Sequence, residues 1–148
     1  MKLSKALKVK NRVAGELSSL QDIYRRENSR REDNPSKVVA SDVWNQITAK
    51  RNDLVKIKTA ITKANIDIYH ALAEMEELKG SIHYVSMIPT REGEEVQYEG
   101  SNRDKVTYQW TASLNQEAID GLGRHYQQRI NELQDEIDEY NGSTDVEL

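Results

Sequence analysis

The chain has 148 residues, of which 36% are hydrophobic and 31% are charged, and its formal net charge is -4. This length fits one domain over residues 1–148, and the small apolar fraction predicts long helices that share their apolar faces with a second chain. The absence of cysteine excludes disulfides and thiolate chemistry.

The charge is divided unevenly along the chain. Residues 1–63 contain 15 Lys and Arg against 7 Asp and Glu, residues 64–148 contain 6 against 18, and the two sums of +8 and -12 give -4. Halves of opposite sign are expected to attract each other, within a chain or between chains. The alternative is a basic half that binds anions, but the acidic second half makes nucleic acid an unexpected partner. No segment has the length and apolar character of a signal peptide or membrane span, so we expect a cytoplasmic protein.

The first predicted element is an amphipathic helix over residues 1–27, followed by a charged loop over residues 28–40. Residues 41–80 have the most regular pattern, with apolar heptad positions from Val43 to Leu78, and predict one long helix ended by Gly80. A helix of that length extends about 55–60 Å. A small domain cannot cover it on all sides, which predicts a helical hairpin or an oligomeric bundle.

Residues 82–111 are predicted to form a small antiparallel β-hairpin or meander, because a period of two replaces the helical period. The segments Ile82 to Ile88 and Lys105 to Thr111 are the predicted outer strands, and Val96 to Tyr98 is a short return strand. Residues 114–141 are predicted as the last helix, capped by Ser113 or Asn115.

The predicted fold is therefore mainly α with a small β element (α+β). Three long heptad-patterned helices carry an antiparallel hairpin or meander inserted before the last helix, and the chains assemble as an oligomeric bundle. No catalytic motif is present, and His70, His83 and His125 lack the spacing of metal ligands. We therefore expect no enzyme activity, no metal and no cofactor.

Two groups of residues are candidates for ligand binding. Arg25 and Arg26 belong to a cluster of guanidinium groups suited to phosphates or carboxylates, although a solvated loop explains them as well. Arg103 and Lys105 begin a strand that bears aromatic residues.

The aromatic residues of this second group are Tyr108 and Trp110, with Tyr84 and Tyr98 on the predicted neighbouring strands. Aromatic rings beside cations can hold a planar anionic ligand. The alternative is that these rings only pack onto the helices and that Arg103 lies in a turn.

Four short segments resemble motifs of the septicolysin-like family of small bacterial and phage proteins. The chain begins MKLSKAL, close to the family's M-K-L-x-x-A-L, and Ile61-Thr-Lys-Ala-Asn65 is similar to its I-N-x-T-N. Arg103-Asp-Lys-Val-Thr-Tyr108 resembles R-S-E-I-K followed by an aromatic residue, and Asn141 to Thr144 with Glu147-Leu148 resembles N-W-T-T-E-L. The sequence departs from these motifs at Thr62, Ala64 and Gly142.

The resemblance covers most of the chain apart from residues 26–42. It implies helices with a β-hairpin, an oligomer and no enzyme activity. Asn65, the last residue of the second motif, is also a candidate ligand-binding residue. Phage proteins that take up nucleotide immune signals belong to the same broad class of small, oligomeric, non-enzymatic proteins.

These observations predict a homo-oligomer that binds or sequesters a small anionic, nucleotide-like ligand in a pocket between subunits near the β element. The alternative is a structural or scaffold helical protein without a small-molecule site.

Overall fold

The structure, a computed structural model, describes residues 1–147. Leu148, which closes the last motif of the family resemblance, lies outside the described residues. Between residues 1 and 147 the chain forms four helices and two strands: α1 (Leu3–Glu27), α2 (Ala40–Ala64), α3 (Tyr69–Ser86), β1 (Gly93–Glu99), β2 (Asp104–Trp110) and α4 (Gln116–Ser143). The predicted mainly helical fold with a small antiparallel β element before the last helix is confirmed.

The chain divides into two compact units. The first contains Met1–Tyr69 and the segment that begins at Ile137, and the second is His70–Glu136. Helix α4 contributes to both units, so the grouping does not decide between one domain and two, and the single domain stays a prediction.

The core of the first unit is formed by the heptad positions of α1 and α2, which run antiparallel. Its buried members come from both helices and from the C-terminal tail: Leu3, Ala6, Val13, Ile57, Ile61 and Val146. At the far end of the helix pair, the rings of Tyr24 and Trp44 lie 5.0 Å apart. The apolar stripes that the sequence predicts are therefore buried where the two helices face each other.

In the second unit, a bidentate salt bridge joins Glu74 of α3 to Arg129 of α4. Arg129 Nε donates to Glu74 Oε1 at 2.8 Å, and its NH2 group donates to Oε2 at 3.1 Å. These bonds, followed by the positive charge of Arg129, hold the pKa of Glu74 below its usual range. Helix α4 begins with the predicted cap, because Asn115 Oδ1 accepts a bond of 2.9 Å from the amide of Ala118.

The prediction of one continuous helix over residues 41–80 is wrong, and four helices replace the predicted three. Between α2 and α3 the backbone tightens into turns with bonds to the third preceding residue, such as Ile68 N to Asn65 O at 3.2 Å and Tyr69 N to Ile66 O at 3.4 Å. Asn65 and Asp67 have low helix propensity because their side chains compete for backbone hydrogen bonds. The heptad pattern continues through this interruption, so the pattern alone does not indicate where the helix breaks.

The predicted stop at Gly80 and the predicted strand over Ile82 to Ile88 are also wrong, because α3 continues through Gly80 to Ser86. Val85 is buried in this last part of the helix. Tertiary burial of this kind outweighs both the helix penalty of a glycine, about 1 kcal/mol, and the β propensity of the segment. The β element is therefore a two-stranded hairpin, and Tyr84 lies on a helix instead of a neighbouring strand.

Helices that span a membrane need a long apolar stretch, and no helix in the described part of the chain has one.

Candidate ligand-binding site

The hairpin has two faces that differ in charge. Strands β1 and β2 pair antiparallel, with Gly93 opposite Trp110 at one end and Glu99 opposite Asp104 at the other. Directly opposed side chains lie on the same face, and successive side chains alternate between faces. One face, here called the acidic face, carries Glu95, Gln97, Glu99, Asp104, Val106, Tyr108 and Trp110. The other, here called the lysine face, carries Glu94, Val96, Tyr98, Lys105, Thr107 and Gln109.

On the acidic face, the carboxylates of β1 bind the polar atoms of the aromatic residues of β2. The indole Nε1 of Trp110 donates to Glu95, and the hydroxyl of Tyr108 donates to Glu99 Oε1 at 2.6 Å. Gln97 Nε2 also donates to Glu95 Oε1, at 2.7 Å. Trp110 and Tyr108 remain 43% and 41% exposed, so both aromatic residues keep substantial surface open to solvent while their polar ends are fixed.

Arg91 adds a cation to this face from the segment before β1. Its guanidinium carbon lies 4.7 Å from the ring centroid of Trp110, and its NH2 group lies 3.2 Å from Glu95 Oε2. The hydrogen bonds from Gln97 and Trp110, followed by the charge of Arg91, lower the pKa of Glu95 below its usual range. The bond to Glu99 raises the pKa of the Tyr108 hydroxyl. The face therefore favours the charged form of the Glu95 carboxylate beside exposed aromatic rings.

The structure divides the predicted set of Arg103, Lys105, Tyr108 and Trp110. Lys105 lies on the lysine face, directly opposite Tyr98, and Arg103 lies in the turn, where its amide donates to Gly100 O at 3.2 Å. Neither cation forms an ion pair or hydrogen bond through its side chain with another residue between 1 and 147. The aromatic neighbour of Lys105 on its face is therefore Tyr98, which is 67% exposed.

Arg25, Arg26 and Asn65 lie in the first unit. Arg25 pairs with Asp22 on the same helix, and Arg26 is exposed in the last turn of α1. Asn65 ends α2, and its amide donates to Ile61 O at 2.9 Å.

Because α1 and α2 are antiparallel, these residues occupy opposite ends of the helix pair, about 30 Å apart at 1.5 Å per residue. The structure does not bring Asn65 together with the two arginines. Tyr84, in the second unit, is 65% exposed on α3.

Sequence reasoning missed Glu95, Glu99 and Arg91. The predicted return strand begins at Val96 and leaves out Glu95, whereas β1 already begins at Gly93. Glu95, Gln97 and Glu99 follow the two-residue period of one strand face, which is the signal that could have found them. The carboxylate partners of Trp110 and Tyr108 become visible only once the register of the hairpin is known.

A cavity of about 320 Å³ is lined by four residues of the acidic face, Glu95, Gln97, Tyr108 and Trp110, and by Gln109 between the last two. In the part of the chain that the structure describes, no group of three or more His, Asp or Glu residues is placed to hold a metal ion. The features of the hairpin available to a ligand are thus rings and carboxylates on the acidic face, and the Tyr98 ring with Lys105 on the lysine face.

The comparisons with known proteins bear on the fold alone. No protein-family model and no curated protein matches the sequence. The crystal structure of a functionally unknown conserved protein from Corynebacterium diphtheriae is similar over 99% of this chain and 99% of its own, with a TM-score of 0.78 and 12% sequence identity. The chain therefore has the fold of that protein, and the septicolysin-like resemblance stays a prediction.

Proposed function

We propose that the protein is a non-enzymatic, homo-oligomeric binding protein that captures a small anionic, nucleotide-like ligand in a pocket between subunits beside the hairpin. The observation that carries the proposal is the position of Lys105 directly opposite the exposed Tyr98. Arg103 lies in the adjacent turn, and both cations are without a partner among residues 1–147.

A nucleotide combines a planar base with negative phosphates, and this end of the hairpin offers a complement to both. A base can stack on the tyrosine ring, which contributes about 1–3 kcal/mol per stacked base in proteins that bind single strands. Unpaired Lys and Arg side chains can bind phosphate oxygens through charge-assisted hydrogen bonds. The proposed ligand site is therefore smaller than the predicted one, since it keeps Tyr98 and leaves out Tyr108 and Trp110.

The proposal requires a second chain because one hairpin face is too open to enclose a ligand. Small-molecule sites bury most of the ligand surface, whereas Tyr98 and Val96 are 67% and 43% exposed on this face. In the same unit, Tyr84 and Met87 are 65% and 61% exposed. Large exposed apolar side chains support an interface between copies of the chain.

Thermal-shift measurements with mono-, di- and cyclic nucleotides test this proposal. A ligand present at 100 times its Kd stabilises a protein by about 2.7 kcal/mol, so at least one nucleotide should raise the Tm clearly. Lys105→Met and Tyr98→Leu should each reduce that shift, while Lys79→Met, which removes an exposed lysine from α3, should not. The proposal fails if no nucleotide shifts the Tm, or if Lys105→Met and Lys79→Met behave alike.

A scaffold protein without a small-molecule site is the second candidate. It is supported by exposed apolar residues on the first unit, where Val39, Trp44, Val55 and Ile66 are 51% to 69% exposed. Light scattering at several dilutions separates the possibilities. An oligomer that persists on dilution but binds no nucleotide favours the scaffold, and a stable monomer contradicts both candidates.

A further inference from the structure

The acidic face of the hairpin carries an excess of negative charge that the chain only partly neutralises. Three carboxylates, those of Glu95, Glu99 and Asp104, lie on this face, and the cation that contacts it is Arg91. Glu99 is directly opposite Asp104, and like charges in that position destabilise a strand pair. A bound cation would offset this repulsion.

The cavity at this face has the composition of a site for an organic cation. Its lining includes Trp110 and Tyr108, whose ring faces attract cations, and the carboxylate of Glu95. The Glu95 side chain is only 17% exposed, and it accepts hydrogen bonds from Trp110 and Gln97. Glu99 accepts one hydrogen bond, from Tyr108, and a carboxylate can accept more than that.

Arg91 shows that a guanidinium group fits this surface. It contacts the Trp110 ring and the Glu95 carboxylate at once, at 4.7 Å from the ring centroid and 3.2 Å from Oε2. Trp110 and Glu95 also line the cavity, whereas Arg91 is not among its lining residues. The combination of aromatic ring and carboxylate that holds Arg91 is therefore also presented to a ligand in the cavity.

We propose that the acidic face binds a small organic cation, an alkylammonium or guanidinium group, between the rings of Trp110 and Tyr108 and the carboxylates of Glu95 and Glu99. This site is independent of the proposed nucleotide site, because it uses the opposite face of the hairpin and the opposite charge. It remains valid if the protein binds no anion.

The experiment uses Trp110 fluorescence with ethylguanidinium as the probe and its neutral isostere ethylurea as the control ligand. The chain has two tryptophans, so the parent protein is the full chain with Trp44→Phe, which leaves Trp110 as the reporter. Ethylguanidinium should change the fluorescence saturably, and ethylurea should not. An equal response to both ligands, or no saturable response up to the solubility limit, overturns the proposal.

Four variants of this parent locate the site. Glu95→Gln and Glu99→Gln should each weaken ethylguanidinium binding, with the larger loss of about tenfold, or ~1.4 kcal/mol, at Glu95. Lys79→Met, which removes an exposed lysine from α3, should leave the affinity unchanged. Arg91→Ala should raise it several-fold, because it removes the cation that competes for Glu95.

Circular dichroism establishes that each variant is folded, and if Glu95→Gln is not, the exposed Glu99→Gln decides the test. Unchanged affinity in every folded Glu variant overturns the proposal. Weaker binding in Arg91→Ala than in the parent overturns it too, since the arginine would then be part of the site and not a competitor.

Discussion

Arg103, a proposed ligand-binding residue, has a backbone conformation that is unfavourable for a residue with a side chain. It has a φ of 50°, whereas the other left-handed positions in residues 1–147 are Gly93 and Gly100. A residue with a side chain pays about 1–2 kcal/mol for this conformation, and glycine does not. A cation at this position therefore lowers the stability of the turn, which is consistent with a functional reason for it.

Arg103→Gly should raise the free energy of unfolding by about 0.5–1 kcal/mol, because relief of the left-handed strain exceeds the entropy cost of a new glycine. The same substitution should weaken nucleotide binding. Asn102→Gly is the matched control, since that residue has no positive φ, and it should lower stability. Chemical denaturation measures both changes. A loss of stability in Arg103→Gly equal to that of the control would show that the turn is not strained.

At the scale of elements, the heptad pattern predicted the apolar positions of α1 and α2 that are buried in the core, but not where α2 ends. Ile61 and Ile68 keep the pattern across the turns at residues 65–68, and both are buried. The spacing of apolar residues indicates only which side of a helix faces the core. The helix break depends on local backbone competition at Asn65 and Asp67, which the periodicity does not contain.

The candidate site was predictable only in part for a related reason. Period two placed Tyr108 and Trp110 together on one face of a strand, and this is what the structure has. Their partners depend on the pairing register, and a shift of one residue exchanges the two faces of a strand. The predicted return strand begins at Val96 and leaves out Glu95, which belongs to β1. Without the register, the position of Lys105 opposite Tyr98 could not be predicted.

Gly80→Ala tests the corrected course of α3. Gly80 is inside the helix, and an added Cβ would meet nothing within 4 Å, so alanine should stabilise the protein by about 0.5–1 kcal/mol. Gly93→Ala is the contrasting variant, because Gly93 has a φ of 93° and alanine there is strained. Thermal or urea unfolding compares the two. Destabilisation by Gly80→Ala would instead support the predicted helix stop.

At the scale of the whole molecule, the N-terminal residues and the C-terminal tail are hydrogen-bonded to each other in the first unit. The amide of Leu3 donates to Thr144 O at 2.8 Å, and the amide of Val146 donates to Met1 O at 2.7 Å. Lys2 adds an ion pair with Asp145 at 2.9 Å, which is exposed and contributes little. Val146 and Leu3 are 4% and 0% exposed, so the tail covers the end of the helix pair that begins at Leu3.

Val146→Ala should therefore destabilise the protein by about 1–3 kcal/mol, because it removes two buried methyl groups and leaves a cavity beside the core. Glu147→Ala changes the exposed neighbour and should have little effect, as expected of surface positions. The unfolding free energies of both variants, measured by urea denaturation, give the comparison. Equal stability of the two variants would mean that packing of the tail against Leu3 contributes little to the stability of the first unit.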